Sequence, residues 1–286
     1  MRNRSKLQVL AVAAVALVGA GCAPAEDEPA ATSTTGPADC TKDSLTTLEA
    51  GRFTFGTDQP AYPPWFIDDD PASGEGFESA VAYAVAEKLG YDQADVTWVR
   101  VPFNAAISPG AKTFDANLSE FSITEERRQA VDFSSPYYDV TQAVVTVASS
   151  PAASAKDLDA LRTLRLGAQV GTTSYTAAQA LAPTQPVSVY NNNDDAKAAL
   201  TSGQIDAVVL DLPTAFAVQA ELDDGVIVGQ LPATQDRAEQ FGIVLDKGSP
   251  LTSCVSTAVD ELRSDGTLAE LQQKWLDEAG NAPTLT

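Results

Sequence analysis

A chain of 286 residues with 44% apolar and 20% charged residues has the composition of a soluble globular protein, which excludes disordered and fibrous classes and suits one large or two medium domains. The formal net charge is −21, a field that repels phosphate backbones and anionic lipid, so no nucleic-acid partner is expected. The sequence contains no histidine, which removes Ser-His-Asp and Cys-His catalysis and His-based zinc sites, and no metal or cofactor is expected.

Arg2, Arg4 and Lys6 precede an apolar run from Leu7 to Ala20, interrupted only by Gln8 and followed by Gly21 and Cys22. A basic end, a short apolar core and small residues before the break predict a secretory signal peptide over 1–21, and the run is short for a membrane span. Its removal leaves 15 basic against 39 acidic residues, a balance of −24. Val18-Gly19-Ala20-Gly21-Cys22 resembles a bacterial lipobox, which makes Cys22 the expected lipidated first residue of the mature protein; a plain cleavage site with an incidental cysteine is the alternative. With more than one acyl chain at ~0.8 kcal/mol per buried CH₂, such an anchor holds even an acidic body at the extracytoplasmic face of the cell membrane. Residues 22–50 read as a lipid-anchored tether, since 23–39, APAEDEPAATSTTGPAD, contains no bulky apolar residue. Export places Cys40 and Cys254 in an oxidising compartment, where a bridge between them is expected and two free thiols are the alternative.

From Gly51 onward strands and helices alternate. RFTFGT (52–57) is a predicted strand, and Glu78 to Leu89 places Val81, Val85 and Leu89 on one helical face with Gly90 as its stop. Val96–Val101 and Phe114–Leu118 are further strands. Then come 164–170, 187–190, 205–210 and 226–231, separated by helical stretches. Ser154 with Asp157 three residues on suggests a helix start, and Pro213 suits the first turn of a helix after Leu212. FGIVLDKG (241–248) is the last strand, followed by two helices, the second with Leu268, Leu271 and Trp275 on one face and Gly280 beyond its end. The alternation implies an α/β protein with parallel sheets covered by helices, in two lobes for this length.

GTDQPAYPPWF (56–66), GEGFESAVAYAVAEKLG (74–90), FDANLSEFSITEERRQAVDFSSPYY (114–138), VGTTSYTAA (170–178), AVVLDLP (207–213) and LAELQQKWL (268–276) occur in the order that resembles family 3 extracellular solute-binding proteins of bacterial ABC importers. The resemblance implies a two-lobed periplasmic-binding-protein type II fold, with two strands crossing between lobes and the ligand in the cleft. Lobe 1 is expected over 51–140 and 239–281, and lobe 2 over 141–238. It further implies an amino-acid ligand, an ABC permease as membrane partner and a monomer, with no catalytic residues.

A free amino acid carries a carboxylate and an ammonium that a closing cleft strips of water, so each needs opposite charge. Arg127 falls where the family's carboxylate-binding arginine lies; a surface arginine paired with Glu125 or Asp132 is the alternative, which Arg128 fits better. By the same resemblance Ser122 adds a hydroxyl to that carboxylate. Thr172 and Thr173 open a helix whose N-terminus favours an anion, unless they serve only as caps. Asp211 ends an apolar strand, where open α/β sheets bind ligands, and matches the family's acid for the ligand ammonium; its alternative is the cap of the next helix. Tyr62, Trp65 and Phe103 are candidate aromatic walls, or core.

Asp58, Glu78 and Glu120 match positions that can face the ligand side chain, and three carboxylates favour a cationic or hydrogen-donating group over an acidic one, unless they merely reflect an acidic surface. Two rival functions remain: a periplasmic cyclohexadienyl dehydratase of the same fold, with a pocket carboxylate as general acid, and a ligand sensor that does not transport.

Overall fold

Every residue of β1 (Phe53–Thr57) is buried, as expected for a strand covered on both faces. The computed structural model describes residues 39–233, 238–276 and 282–286; the signal peptide, Cys22 and Gly280 lie outside these. After β1 come α1 (Phe77–Lys88), β2 (Val96–Arg100), α2 (Phe103–Ala106), β3 (Ala116–Asn117), β4 (Val131–Val140), β5 (Gln142–Val147), α3 (Leu158–Arg162) and β6 (Leu166–Gln169). They are followed by α4 (Thr173–Ala180), β7 (Ser188–Tyr190), α5 (Asn193–Thr201), β8 (Ala207–Asp211), α6 (Leu212–Glu221), β9 (Gly225–Gln230), β10 (Glu239–Asp246), α7 (Thr252–Ser264) and α8 (Thr267–Leu276).

The strands form two five-stranded sheets, one ordered β2-β1-β3-β10-β4 and the other β7-β6-β8-β5-β9. The expected purely parallel sheets are not what forms. β1, β2 and β3 are parallel, as are β6, β7 and β8, but β10 runs antiparallel to β3 and β4, and β5 antiparallel to β8 and β9. The reason is connectivity: β4 passes into β5 with only Thr141 between them, and only eight residues separate β9 from β10, so each of these strands enters or leaves its sheet by a connection to the other sheet and not by the helical crossover that aligns parallel neighbours. These two connections join the two sheets. The predicted 114–118 strand shrinks to β3, and the helix start at Ser154 moves to Asp157, whose Oδ1 accepts from Ala160 N at 2.8 Å.

The first sheet packs Phe53, Phe55 and Ile243 against Val81 and Val85 of α1 and Val255, Val259 and Leu262 of α7. Gly90 stops α1 with φ 83°, a conformation cheap only for glycine. In the second sheet the period of two separates two cores: Val144 of β5 faces one side with Leu166 and Val209, and Ala143 and Val145 face the other with Val208 and Leu210.

Residues 39–50 depart from the expected tether. A disulfide joins Cys40 to Cys254 of α7, Lys42 pairs with Asp95 at 2.5 Å, and Leu48 N donates to Asp115 Oδ1 at 2.8 Å, so this segment is fastened to the first lobe. The chain end crosses the other way, with Thr284 bridging Gln230 of β9 and Leu285 buried in the second lobe's core. Among the described residues no helix is long and apolar enough to cross a membrane.

Candidate ligand-binding cleft

Carboxyl ends of strands from both sheets converge on one cleft: Thr57 of β1 and Asp58 just after it, Ser119 and Glu120 after β3, Gln169 of β6 and Asp211 of β8. Such ends carry unpaired backbone groups and the N-termini of following helices, which is why open α/β sheets bind ligands there. Of the residues anticipated from sequence, the structure brings Asp58, Tyr62, Phe103, Glu120, Arg127, Thr172, Thr173 and Asp211 to this wall.

The positive end is built around Arg127. Its guanidinium is buried, with Nη1 donating to Ser122 O at 2.7 Å and Nη2 reaching across to Gly171 O at 3.0 Å, and it lies 5.4 Å from the centroid of the Phe103 ring, which itself stacks on Phe121. Burial pushes the Arg127 pKa down, while Glu239 and Asp211 oppose the shift. Arg128 takes the surface role, 3.8 Å from Glu125. Thr172 both lines the cleft and caps α4, its Oγ1 accepting from Tyr175 N at 3.1 Å.

Ser122 lies off the wall. It is 1% exposed, its hydroxyl donates to Glu239 Oε1, and its oxygen lies 3.1 Å from Thr173 Oγ1, so its proton is committed within the protein rather than offered to a ligand.

The negative end holds several acids. Asp211 sits at the cap position of α6, yet its side chain makes no cap bond; Oδ1 accepts instead from Gln142 Nε2 at 2.7 Å. Burial, with Glu239 next, holds its carboxyl well above the usual range. Glu120 adopts φ 56°, a strained region for a residue with a side chain, and Oε2 accepts from Thr214 Oγ1 at 2.7 Å. Its carboxyl is also pushed well up, by burial first and then by Asp211 and Glu78. Burial raises Asp58 as well.

Glu78 does not reach the cleft. It is wholly buried behind Glu120, Oε1 accepting from Glu120 N at 2.7 Å and from the Tyr137 hydroxyl, and burial pushes its carboxyl up to about 7.

Residues 53–278 match the bacterial extracellular solute-binding proteins, family 3. The chain belongs to this family. The L-arginine-binding protein of Pseudomonas aeruginosa is 30% identical over 246 residues, covering 78% of this chain and 90% of that protein. The ABC transporter glutamine-binding protein GlnH of Bacillus subtilis is 29% identical over 214 residues, 73% of this chain and 76% of that protein. Among solved structures, an ancestral arginine-binding protein bound to arginine superposes with a TM-score of 0.65 at 31% identity, covering 79% of this chain and 98% of its own. An ancestral amino acid-binding protein described as a precursor of cyclohexadienyl dehydratase gives 0.64 at 28%, covering 79% and 96%.

As a family 3 member, the protein departs from the expected aromatic walls at Trp65. That ring is fully buried in the first core, edge-on to Phe77, Tyr138 and Phe241, and Phe66 lines the cleft in its place. The indole still acts on the cleft, because Nε1 donates to Thr214 Oγ1 at 2.7 Å. Sequence reading missed Thr214, Gln142 and Glu239. Only Thr214 had a signal, its place after Pro213 in the first turn that follows Asp211; nothing local marks Gln142 or Glu239.

Proposed function

We propose that this protein is the extracytoplasmic binding component of an ABC importer and captures a free amino acid, cationic side chains favoured, by closing its lobes. The observation that carries this is the charge imbalance of the cleft: one buried guanidinium shares it with Asp58, Glu120 and Asp211, and burial raises the pKa of all three acids. Arg127 has five N–H groups, two of them bonded to carbonyls, and suits a carboxylate; the acids are relieved by an ammonium and a second cation. The relatives that bind arginine, and the lysine/arginine/ornithine-binding protein of Escherichia coli, support the same ligand class.

The ligand passes to a membrane permease, the mature chain works as a monomer held by a lipid on Cys22, and no reaction is catalysed. The dehydratase-related neighbour keeps one rival open, since Glu120 could act as a proton donor. Calorimetry with the twenty amino acids, ornithine and agmatine tests the proposal. A cationic amino acid is expected to bind, Arg127→Ala and Asp211→Ala each weakening it by roughly 2 to 4 kcal/mol while the fold persists. No binding by any of them, or dehydration of a cyclohexadienyl compound by the wild type, would overturn it.

A further inference from the structure

Gln142 begins β5, directly after one crossing connection, and Glu239 begins β10, directly after the other. Their side chains meet: Gln142 Nε2 donates to Glu239 Oε2 at 3.1 Å and to Asp211 Oδ1 at 2.7 Å. With carboxylates on both sides, only the amide nitrogen can face them. Gln142 Oε1 is left buried without a hydrogen-bond partner. A side chain that leaves a buried acceptor unmatched while serving two acids is arranged for something other than local stability.

Asp211 is the group this arrangement acts on. At an N-cap, aspartate ordinarily turns its side chain back to the first helical N–H groups. Here Pro213 has none, so Thr214 N is the donor available, and the Asp211 side chain does not take it. We infer that Gln142, braced by Glu239 across the two crossing strands, is a positioning residue that keeps the Asp211 carboxylate off the α6 cap and in the cleft. This rests on the proposed amino-acid site, where Asp211 meets the ligand ammonium. Lobe closure and ammonium binding are then tied through the same amide, because Glu239 is itself anchored to Ser122 of the first lobe.

The test is calorimetry on the mature chain with L-arginine and L-glutamine, and with the deamino analogue of arginine, which lacks the ammonium. Gln142→Leu is expected to weaken amino-acid binding by about tenfold or more but to change binding of the deamino analogue, or of arginine to the Asp211→Asn background, by less than about twofold. A merely structural role would weaken all of these alike, and that result, or an unchanged affinity, overturns the inference. Should Gln142→Leu not fold, Glu239→Ala releases the brace from a partly exposed position and is expected to show the same ammonium-specific loss in smaller degree; equal losses overturn it. A wild type that binds neither amino acid overturns the reading beneath, which is a separate outcome.

Discussion

The indole Nε1 of Trp65 donates to the Oγ1 of Thr214 at 2.7 Å, joining a ring sealed in the first lobe's core to the first turn of α6 in the second. Thr214 in turn donates to Glu120 Oε2 at 2.7 Å, so one hydroxyl links both lobes and presents an acceptor to a cleft acid. Both bonds span the two lobes.

Thr214→Val keeps the shape of the side chain and removes both bonds. It is expected to weaken ligand binding by about 1 to 3 kcal/mol, since Trp65 N–H and Glu120 lose a partner in the closed form alone. It is also expected to reduce the tryptophan emission change on ligand addition. Titration by fluorescence checks both, and wild-type affinity with an unaltered emission change would show that the link is idle.

Selectivity follows from charge. Arginine or lysine is expected to outrank glutamate and aspartate, because a second carboxylate meets Asp58 and Glu120 after desolvation. Neutralising both, as Asp58→Asn with Glu120→Gln, is expected to narrow the preference by about tenfold or more, or ~1.4 kcal/mol. Competition calorimetry ranks the ligands; glutamate in first place, or a ranking indifferent to the double change, contradicts the assignment.

Glu78 makes stability fall with pH. Its carboxyl is pushed from 4.5 in the unfolded chain to about 7 by burial, so between those values the folded protein holds a proton that the unfolded chain has released. The contribution is therefore largest at and below pH 4.5, is lost as pH rises to about 7 and is constant above that. Glu78→Gln is neutral throughout, and its melting temperature relative to wild type is expected to rise between pH 5 and pH 8 by several degrees. Parallel melting curves for the two proteins across that range would refute this.

The Cys40 to Cys254 bridge closes a sequence separation of 214 residues and fastens the start of the folded region to α7. On the chain-entropy account it stabilises by up to about 5 kcal/mol. Intact mass with and without reductant is expected to show no free thiol before reduction, and Cys40→Ser with Cys254→Ser is expected to lower the melting temperature by several degrees. Two thiols alkylated in the unreduced protein would contradict the bridge.

Much of the cleft is legible because its members sit at local boundaries that sequence marks. Asp211 ends an apolar strand and Thr172 precedes a helix, so chain direction carries both toward the carboxyl edge of the second sheet, whereas Arg127 is placed by the family resemblance. Depth is not marked in this way. Trp65, Phe66 and Tyr62 are neighbours in one loop of similar composition, yet Trp65 and Phe66 are core, Phe66 also reaching the cleft wall, while Tyr62 lines the cleft. Glu78 and Glu120 read alike as pocket acids, but helical periodicity turns Glu78 inward with Val81 and Val85, and the positive φ of Glu120 turns it outward.

The sequence by itself marks eight of the ten strands and their order, the acidic charge and the ends at which polar groups collect, since these depend on hydrophobic period and on caps within a few residues; β4 and β5, which run on with only Thr141 between them, escape that reading. Tertiary structure alone decides which donor each acid meets. Asp211 with Gln142, Glu239 with Ser122 and Glu120 with Thr214 are pairs separated by 69, 117 and 94 residues, brought together by two crossing connections whose path no local pattern records. The sheets are mixed rather than parallel for the same reason: strand direction in those places is set by where the chain crosses between lobes, not by the residues of the strand.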